Sequence, residues 1–370
     1  MKQPLNGVRV LDFTMFMAGP YATRLMADAG AEIIKVEPPG GDYMRGTAPN
    51  YGGDSRQFAQ LNCGKKCISL NLKDPDDMAA AKKLVSEVDV VTENFRPGVM
   101  ARLGLGYDVL QELNPKIILC SVSGYGQTGP SALRPAFAPV VHAASGYDLT
   151  LKEWDKSLEK PPANCSTVAD ILAATHAYGA IVTALFARDN GSGSEHIDVT
   201  LIDSMRHALL FEFQAAQTDD DHPRIIFEAI HAKDGFLMIA PVGPANYAAL
   251  IRTIGADWML DDDRFADTQS RARHWSVMLA EAESWALNHS AAEASRLLEA
   301  EGCPATPYFT PREMIDDLHN AARGSDVAMR DGGGDFLVPN TPFRFSSGTV
   351  GAAHWVAAYG EHNQEYLKRD

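Results

Sequence analysis

The stretch GVRVLDFTMFMAGPYATRLMADAGAEIIKVEPPGG, residues 7–41, predicts a β-α-β unit. Residues 7–13 alternate apolar and polar side chains, which indicates a strand. Pro20 favours the start of a helix over residues 20–29, because its fixed φ suits the first helical position. Residues 32–37 read as a second strand. A strand, a helix and a strand over this length indicate a parallel pair joined by a right-handed crossover.

The same alternation continues for another eighty residues. Asp74 and Pro75 predict a helix start, with the aspartate as cap and the proline at the first turn. The predicted strands are 67–72, 88–92 and 116–122, and the predicted helices are 75–86 and 107–113. This pattern is typical of a doubly wound α/β domain, in which ligands bind beyond the carboxyl ends of the strands. Those ends carry residues 14–18, 38–42, 94–98 and 123–129.

The remaining sequence predicts more helix and a second domain. Residues 131–165 read as irregular, and residues 166–188 as a long helix rich in small side chains. The pattern then predicts a strand over 195–200, a helix over 201–217 and short strands around an Asp234-Gly235 turn. It predicts four more helices, over 244–255, 270–288, 290–301 and 311–324, and a β-like segment over 335–347. We expect a doubly wound α/β domain, followed by a second, smaller domain of about residues 222–325.

Composition and charge exclude several classes of function. The chain has 370 residues, five cysteines and a net charge of −15, which argues against nucleic acid and anionic membrane as partners. Few, scattered cysteines favour a cytoplasmic location. The apolar run 171–187 is too short and too polar to predict a membrane span. Residues 1–140 hold 15 Lys and Arg against 14 Asp and Glu, so an anionic ligand is expected there.

Common cofactor and catalytic motifs are missing. The loop TMFMAGP has one glycine, so it does not predict a dinucleotide site, and no Walker pattern occurs. Cys63 and Cys67 lack a second pair of ligands at zinc spacing. No G-x-S-x-G motif occurs either. The sequence therefore predicts no metal and no permanently bound cofactor.

Asp170 is the carboxylate that stands out, in the stretch STVADILAATHAYG. One interpretation is structural: a first-turn acid that satisfies free backbone N–H groups and the helix dipole. The other is functional, because a carboxylate at the start of a buried helix, beside small residues, is well placed to act as a nucleophile. The residues alone leave both interpretations open.

Several stretches together carry a family resemblance. They are GVRVLDFTMFMAGPYAT, ADAGAEIIKVEPPGGD, NCGKKCISLNLK, VVTENFRPGVMARLGLGYDVL, NPKIILCSVSGYGQTGP, VADILAATHAYGAIVTALFARDNGSGSEHIDVTLIDSM, DGFLMIAPV, DDRFADTQSRARHW and NTPFRFS. With these motifs in this order, the sequence resembles the class III CoA-transferases, the group of formyl-CoA:oxalate and carnitine CoA-transferases. Alpha-methylacyl-CoA racemase shares their fold.

The resemblance implies a mechanism and an assembly. It implies an interlocked homodimer, in which each chain has a Rossmann-like, CoA-binding large domain from residues 1–221 and 326–370 and a smaller α+β domain from residues 222–325. It also implies an enzyme that moves coenzyme A from an acyl-CoA to a small carboxylic acid. Asp170 falls on the family's catalytic aspartate, which would carry an aspartyl-CoA thioester. Coenzyme A would then be a substrate, with no permanent cofactor.

The resemblance also implies a set of CoA-binding residues. They are Met17, Ala18, Leu70, Asn71, Leu72, Lys73, Asn94, Phe95, Arg96, Arg102 and Leu103. Among these, Lys73, Arg96 and Arg102 would supply positive charge for the phosphates. For each Lys or Arg alone, a solvated surface charge is the simpler interpretation, and for Leu72 and Phe95 it is core packing.

The sequence departs from the family in three places. Pro38 stands where some transferases carry a CoA-binding arginine. Phe137 and Ala138 replace the His-Asp pair of the racemase, which argues against racemisation. Residues 218–245 show no match to the glycine-rich loop of formyl-CoA transferase, and residues 161–165 are expected to shape an acyl pocket. The alternatives to a transferase are an isomerase of racemase type and a non-catalytic CoA-binding subunit.

Overall fold

A six-stranded parallel sheet organises the first part of the chain in the computed structural model, which describes residues 2–53, 55–219, 223–331 and 333–367. Its strands are β1 (Arg9–Asp12), β2 (Glu32–Glu37), β3 (Lys66–Ser69), β4 (Val90–Glu93), β5 (Ile118–Ser123) and β6 (Glu195–Thr200). They lie in the order β3-β2-β1-β4-β5-β6, all parallel. The predicted α/β fold with a parallel sheet is confirmed.

The helices of this part follow the strands. They are α1 (Ala18–Asp28), α2 (Arg56–Asn62), α3 (Pro75–Val85), α4 (Val99–Arg102), α5 (Tyr107–Leu113), α6 (Ala138–Ala144), α7 (Tyr147–Trp154), α8 (Val168–Asp189), α9 (Leu201–Ala208) and α10 (Leu210–Ala215), with a 3-10 turn at Tyr43–Gly46. The predicted start of α3 is confirmed. The Asp74 carboxylate accepts hydrogen bonds from the backbone N–H groups of Asp76 and Asp77, and Pro75 takes the first position.

Two predictions for this part were wrong. Residues 131–165 are not wholly irregular, because α6 and α7 lie within them. The single helix predicted over 201–217 breaks at Leu209, whose φ of −117° and ψ of 42° are not helical. Leu209 is buried, so packing overrides the helical preference of leucine.

The core of this part is built around α8. Its alanines include Ala169, Ala173 and Ala177, which are fully buried in a cluster that also contains Met26 of α1. Within the described residues, α8 is the one helix long and apolar enough to cross a membrane by length and composition, and a core helix passes the same test. Small side chains let neighbouring elements approach the backbone of α8 closely.

The chain divides into two compact units, one of residues Met1–Phe213 and His319–Asp370 and one of residues Gln214–Leu318. The second unit holds an antiparallel sheet of β7 (Ile230–Ala232), β8 (Gly235–Ile239) and β9 (Ala305–Pro307). Its helices are α11 (Pro244–Ile254), α12 (Thr268–Arg273), α13 (Trp275–Ala286), α14 (Ala291–Ala300) and α15 (Pro311–Asp316), with 3-10 turns at Asp257–Leu260 and Asp263–Phe265. The predicted hairpin at Asp234-Gly235 is confirmed. The domain boundaries, predicted at residues 222 and 325, stay a prediction.

Two further predicted helices are interrupted. The helix predicted over 270–288 divides at His274, and the one over 311–324 divides between α15 and α16 (Leu318–Arg323). An antiparallel hairpin of β10 (Asp326–Asp331) and β11 (Gly334–Pro339) follows, and then α17 (Asn363–Tyr366). Leu367 packs into the same cluster as Val36 and Leu70 of the first unit.

Candidate active site

Two cavities lie at the carboxyl edge of the parallel sheet. The strand order reverses direction between β1 and β4, which is where α/β sheets of this type bind their ligands. The Asp170 cavity has a volume of about 280 Å³ and is lined by Phe16, Met17, Ala18, Asn94, Phe95, Arg96, Pro97, Val122, Ser123, Gly124, Ala132, Arg134, Pro135, Ala136, Phe137, Asp170 and Leu201. The Leu72 cavity has a volume of about 310 Å³ and is lined by Phe13, Met15, Val36, Pro38, Pro39, Leu70, Asn71, Leu72, Lys73, Phe95 and Leu103. Phe95 belongs to both walls.

Most of the residues predicted to bind CoA line one of these cavities. Met17, Ala18, Asn94 and Arg96 lie in the wall of the Asp170 cavity. Leu70, Asn71, Leu72, Lys73 and Leu103 lie in the wall of the Leu72 cavity. Arg102 lines neither cavity and is exposed at the end of α4. Residues 161–165 do not line the Asp170 cavity, and their role in an acyl pocket stays a prediction.

The Leu72 cavity is lined mainly by apolar side chains. Its polar residue Asn71 forms hydrogen bonds with nearby residues of the chain. The backbone N–H of Asn71 donates to the Asp77 carboxylate at 2.8 Å. The Asn71 side-chain oxygen accepts from the backbone N–H of Lys73 at 3.2 Å. Lys73 itself is exposed. The cavity can therefore take a flat apolar group, with one ammonium at its rim.

The turn from β1 to α1 is held in place from three sides. The Asn94 amide accepts from the N–H of Met15 at 2.8 Å and donates to the carbonyl of Met15 at 2.7 Å. The buried Lys35 ammonium donates to the carbonyl of Thr14 at 2.8 Å. A side chain at Gly19 would lie 2.3 Å from that of Thr14, so this approach requires glycine. The Asn94 amide, predicted to bind CoA, thus positions the loop.

Phe16, in the middle of that turn, has a φ of +64°. This is the left-handed region, which bulky residues rarely adopt and which is often found at functional sites. The Phe16 ring meets the ring of Phe137 edge-on at 5.6 Å, and Tyr43 at the same distance. The rings of Phe16 and Phe137 form an aromatic wall on the Asp170 cavity, and neither carries a group that transfers protons.

Asp12, below the turn, is fully buried and fully paired. The Lys65 ammonium lies 3.2 Å from its carboxylate, and the N–H of Thr14 and the hydroxyls of Thr23 and Thr92 donate to it. Burial alone would raise the pKa of Asp12, but the charges of Lys65 and Lys35 and the threonine hydrogen bonds lower it below its ordinary value. Asp12 is therefore ionised at neutral pH and has a structural role.

Asp170, in the first turn of α8, differs from Asp12 because its carboxylate has no hydrogen-bond donor among the described residues. Thr167 is the cap residue of α8, and the N–H of Ala169 donates to Nε2 of the buried His142 at 3.1 Å. Within the part of the chain that the structure describes, no group donates a hydrogen bond to the Asp170 carboxylate. Burial raises its pKa to about 6. The carboxylate does not act as a helix cap, and it opens onto the cavity.

Two arginines share the Asp170 cavity with this carboxylate. Arg96 follows β4, and Arg134 lies in the loop before α6, with its guanidinium 5.0 Å from the centre of the Tyr125 ring. Neither forms an ion pair with a described residue. Sequence reasoning missed Arg134, because it lies in the stretch predicted to be irregular. Glycine at 124 lets this stretch come close, since a side chain there would lie 2.4 Å from that of Ala136.

Glu93 lies directly before the loop that carries Asn94, Phe95 and Arg96. Its carboxylate accepts from the N–H of Phe95 at 2.7 Å. Burial raises the pKa of Glu93 to about 7, although hydrogen bonds from Ser121 and Phe95 oppose the shift. The loop shared by both cavities therefore rests on a carboxyl group that titrates near neutral pH.

Comparison with known proteins finds one family along nearly the whole chain. The family model described as CoA-transferase family III matches residues 5–363. The chain is 32% identical over 378 residues to succinyl-CoA–D-citramalate CoA-transferase of Chloroflexus aurantiacus, covering 98% of this chain and 93% of that protein. It is 33% identical over 357 residues to acetyl-CoA:oxalate CoA-transferase of Acetobacter aceti, covering 93% and 90%.

Solved structures agree with these sequence relatives. The orthorhombic form of Rv3272 from Mycobacterium tuberculosis superposes with a TM-score of 0.85 at 30% identity, covering 99% of both chains. A CAIB/BAIF family protein from Brucella suis superposes with a TM-score of 0.84 at 27% identity, covering 99% of this chain and 98% of that one.

Proposed function

Because this chain belongs to CoA-transferase family III, we propose that it moves coenzyme A from an acyl-CoA to a carboxylic acid through a thioester on Asp170. The family establishes an enzyme that transfers CoA. The covalent route through Asp170 is supported by one observation above all. The partly buried Asp170 carboxylate faces a cavity and accepts no hydrogen bond from any described residue, so its lone pairs are available for attack.

The first half of the reaction would load the enzyme. The Asp170 carboxylate attacks the thioester carbonyl of the donor, and the C–S bond breaks to release the CoA thiolate. This leaves a mixed anhydride between the donor acid and Asp170. The thiolate then attacks the side-chain carbonyl of Asp170, the anhydride C–O bond breaks, and the donor acid leaves as a carboxylate.

The second half would reverse these steps with a different acid. The acceptor carboxylate attacks the aspartyl-CoA thioester, which releases the thiolate and forms a new mixed anhydride. The thiolate attacks the acyl carbonyl of the acceptor, and the Asp170 carboxylate is regenerated. No net proton and no water are consumed. The apolar wall formed by Phe16 and Phe137 suits this scheme, because water would hydrolyse the intermediates.

The two cavities suggest how CoA would lie. The Leu72 cavity would take the adenine ring, since a flat heterocycle fits an apolar slot between Leu72 and Pro38. Lys73 at the rim and the exposed Arg102 would contact phosphates. The pantetheine arm would pass Phe95, which lines both cavities, and bring the thioester to Asp170. Met17, Ala18, Asn94 and Arg96 would border the reacting end.

Racemisation fits the cavity poorly. A racemase must remove and return a proton at carbon, which needs titratable groups on the substrate. Phe137 lines the Asp170 cavity and Ala138 is buried in the core, and neither can transfer a proton. We expect full retention of an α-deuterium when the enzyme turns over a 2-methylacyl-CoA. Loss of the label would favour the isomerase.

The predicted homodimer and cytoplasmic location belong to this proposal. Large apolar side chains near the α8 and α10 region are solvent-exposed in the single chain, with 72% exposure for Phe186, 61% for Leu210 and 70% for Phe211. A second copy of the chain would cover such a surface. Light scattering at micromolar concentration should give twice the monomer mass of 40.1 kDa.

Intact-protein mass spectrometry tests the covalent chemistry. The protein is incubated with a panel of acyl-CoAs and then treated with hydroxylamine or borohydride to trap the adduct. We expect an adduct that is absent in Asp170→Asn and present in Asp189→Asn, which makes the same change at the exposed other end of α8. CoA binding without any adduct would instead support a non-catalytic CoA-binding subunit.

A further inference from the structure

The Asp170 cavity contains more positive charge than the covalent chemistry uses. Arg96 and Arg134 both line it, and Asp170 is the one carboxylate among the described residues of its wall. In the proposed anhydride and thioester intermediates, Asp170 carries no charge. During those steps, two guanidinium groups therefore face a cavity without a protein counter-charge.

We propose that Arg134 binds the distal carboxylate of a dicarboxylic acyl group, so that the substrates of this site are dicarboxylic acids and their CoA thioesters. The inference rests on the proposed function, since it concerns the acid that reacts at Asp170. A dicarboxylic acid has one carboxylate to attack the aspartyl thioester and a second one to pair with an arginine.

The geometry of Arg134 suits this role. Its guanidinium lies over the Tyr125 ring, and stacking of this kind uses the flat face of the group. The N–H groups at its edges are in-plane donors and form no hydrogen bond or ion pair with a described residue. A carboxylate can accept two parallel hydrogen bonds from such an edge.

Arg96 is the less suitable of the two arginines. It follows Phe95, which separates the Leu72 cavity from the Asp170 cavity, so Arg96 lies on the side from which CoA would enter. Arg134 is on the loop between β5 and α6, together with Pro135, Ala136 and Phe137 of the cavity wall. The acyl group would extend toward this loop, so its far end meets Arg134.

The test compares acceptor acids of matched chain length. Acetyl-CoA is the common donor, and the acceptors are succinate against butyrate and glutarate against pentanoate. The values of kcat/KM are measured for wild type, Arg134→Met, Arg134→Lys and Arg252→Met. Arg252 is an exposed residue of α11 in the second unit, outside both cavities, so its variant controls for the loss of one positive charge.

We expect wild type to prefer each dicarboxylic acid by at least about tenfold, as hydrogen bonds to a charged group permit. Arg134→Met should lower kcat/KM for succinate and glutarate by about tenfold to a hundredfold, with butyrate and pentanoate changed less than about threefold. Arg134→Lys should recover part of the loss, and Arg252→Met should match wild type. An equal loss for both kinds of acid, or no preference in wild type, would overturn the inference.

Two further measurements separate this inference from the proposed function. The Asp170 adduct formed from acetyl-CoA should persist in Arg134→Met, since the acetyl group has no distal carboxylate. A missing adduct in wild type would refute the covalent mechanism. Calorimetric titration with succinate and butyrate then still tests Arg134, because tighter succinate binding that is lost in Arg134→Met requires no turnover. Equal binding of the two acids would count against the role of Arg134.

Discussion

Two aspartates of the first unit have opposite surroundings. Asp12, at the end of β1, is fully buried and accepts hydrogen bonds from a lysine, three threonine hydroxyls and a backbone N–H. Asp170, in the first turn of α8, is partly buried and accepts none from the described residues. The pKa of Asp12 lies below its ordinary value, whereas burial raises that of Asp170 to about 6.

The difference teaches how one fold uses the same side chain for two purposes. A paired carboxylate holds elements together, because removing it leaves its partners buried without a counter-charge. An unpaired carboxylate destabilises the fold, but its oxygen atoms remain available to react. Asp12 and Lys65 support the turn from β1 to α1, and that turn supplies one wall of the cavity where Asp170 would act.

The largest expected effect is on stability when Asp12 loses its charge. In Asp12→Asn, the buried Lys65 loses the carboxylate that lies 3.2 Å away. We expect the free energy of unfolding to fall by about 3 to 5 kcal/mol, the usual cost of breaking a buried ion pair. Urea denaturation followed by circular dichroism measures it, with Asp189→Asn as the control. A loss below about 1 kcal/mol would mean that the pair is not structural.

Asp170→Asn should change stability in the opposite direction. The raised pKa means that the folded protein keeps this proton up to about pH 6, while the unfolded chain loses it near 3.8. The free energy of unfolding of the wild type therefore falls as the pH rises from about 4 to about 6, whereas Asp170→Asn has no carboxyl group at this position and lacks this fall. We expect the variant to be more stable by about 2 kcal/mol at pH 8.

Melting curves at several pH values check this sign. The difference between Asp170→Asn and wild type should vanish below about pH 3, where both folded and unfolded forms of the wild type hold the proton. A variant that is less stable than wild type at pH 8 would show that the carboxylate has a stabilising partner, and the contrast with Asp12 would disappear.

The pH dependence of activity should follow the same group. The nucleophile must be ionised, so kcat/KM should rise with pH through about 6 and be about tenfold below its plateau at pH 5. Glu93→Gln removes a second carboxyl group near the cavity whose pKa is raised, to about 7, and should leave this rise in place. A rise centred near pH 4 would mean that Asp170 titrates like an exposed aspartate.

The smallest expected effect comes from one hydrogen bond to Asp12. Thr92→Val keeps the shape of the side chain and removes the hydroxyl that donates to Asp12 at 3.2 Å. We expect the free energy of unfolding to fall by about 1 kcal/mol, since the other donors remain. The same urea titration of Asp12→Asn gives the free energy that the whole network contributes. Comparing the two losses shows what fraction of it this one hydrogen bond contributes. A loss as large as that of Asp12→Asn would contradict the view that several donors together stabilise the Asp12 carboxylate.

Much of the fold could be predicted because its signals are local. The strands Glu32–Glu37 and Glu195–Thr200 and the helix Tyr107–Leu113 have the predicted bounds. Alternating apolar residues and the Asp74-Pro75 start act over a few residues, so one sequence displays them. Helix breaks were missed because the non-helical backbone of Leu209 and His274 depends on packing that no local pattern records.

The candidate site was predictable in part for a similar reason. The strand-end loops and Asp170 carry recognisable motifs, so the resemblance identified them by position. Arg134 and Phe16 were not identified. The guanidinium reaches the cavity through a loop whose path depends on glycine at 124, and the positive φ of Phe16 arises in a turn that Asn94 and Lys35 hold.

The sequence by itself determined the order of strands and helices, the parallel sheet and the place of Asp170 at a helix start. These follow from the periodicity of apolar residues and from turn and cap chemistry, which act between near neighbours along the chain. Only the tertiary structure decided that Asp12 is paired and Asp170 is not, because the Lys65 and Thr92 partners of Asp12 are distant from it in sequence. That difference in surroundings sets the two pKa values, and with them which carboxylate supports the fold and which is free to react.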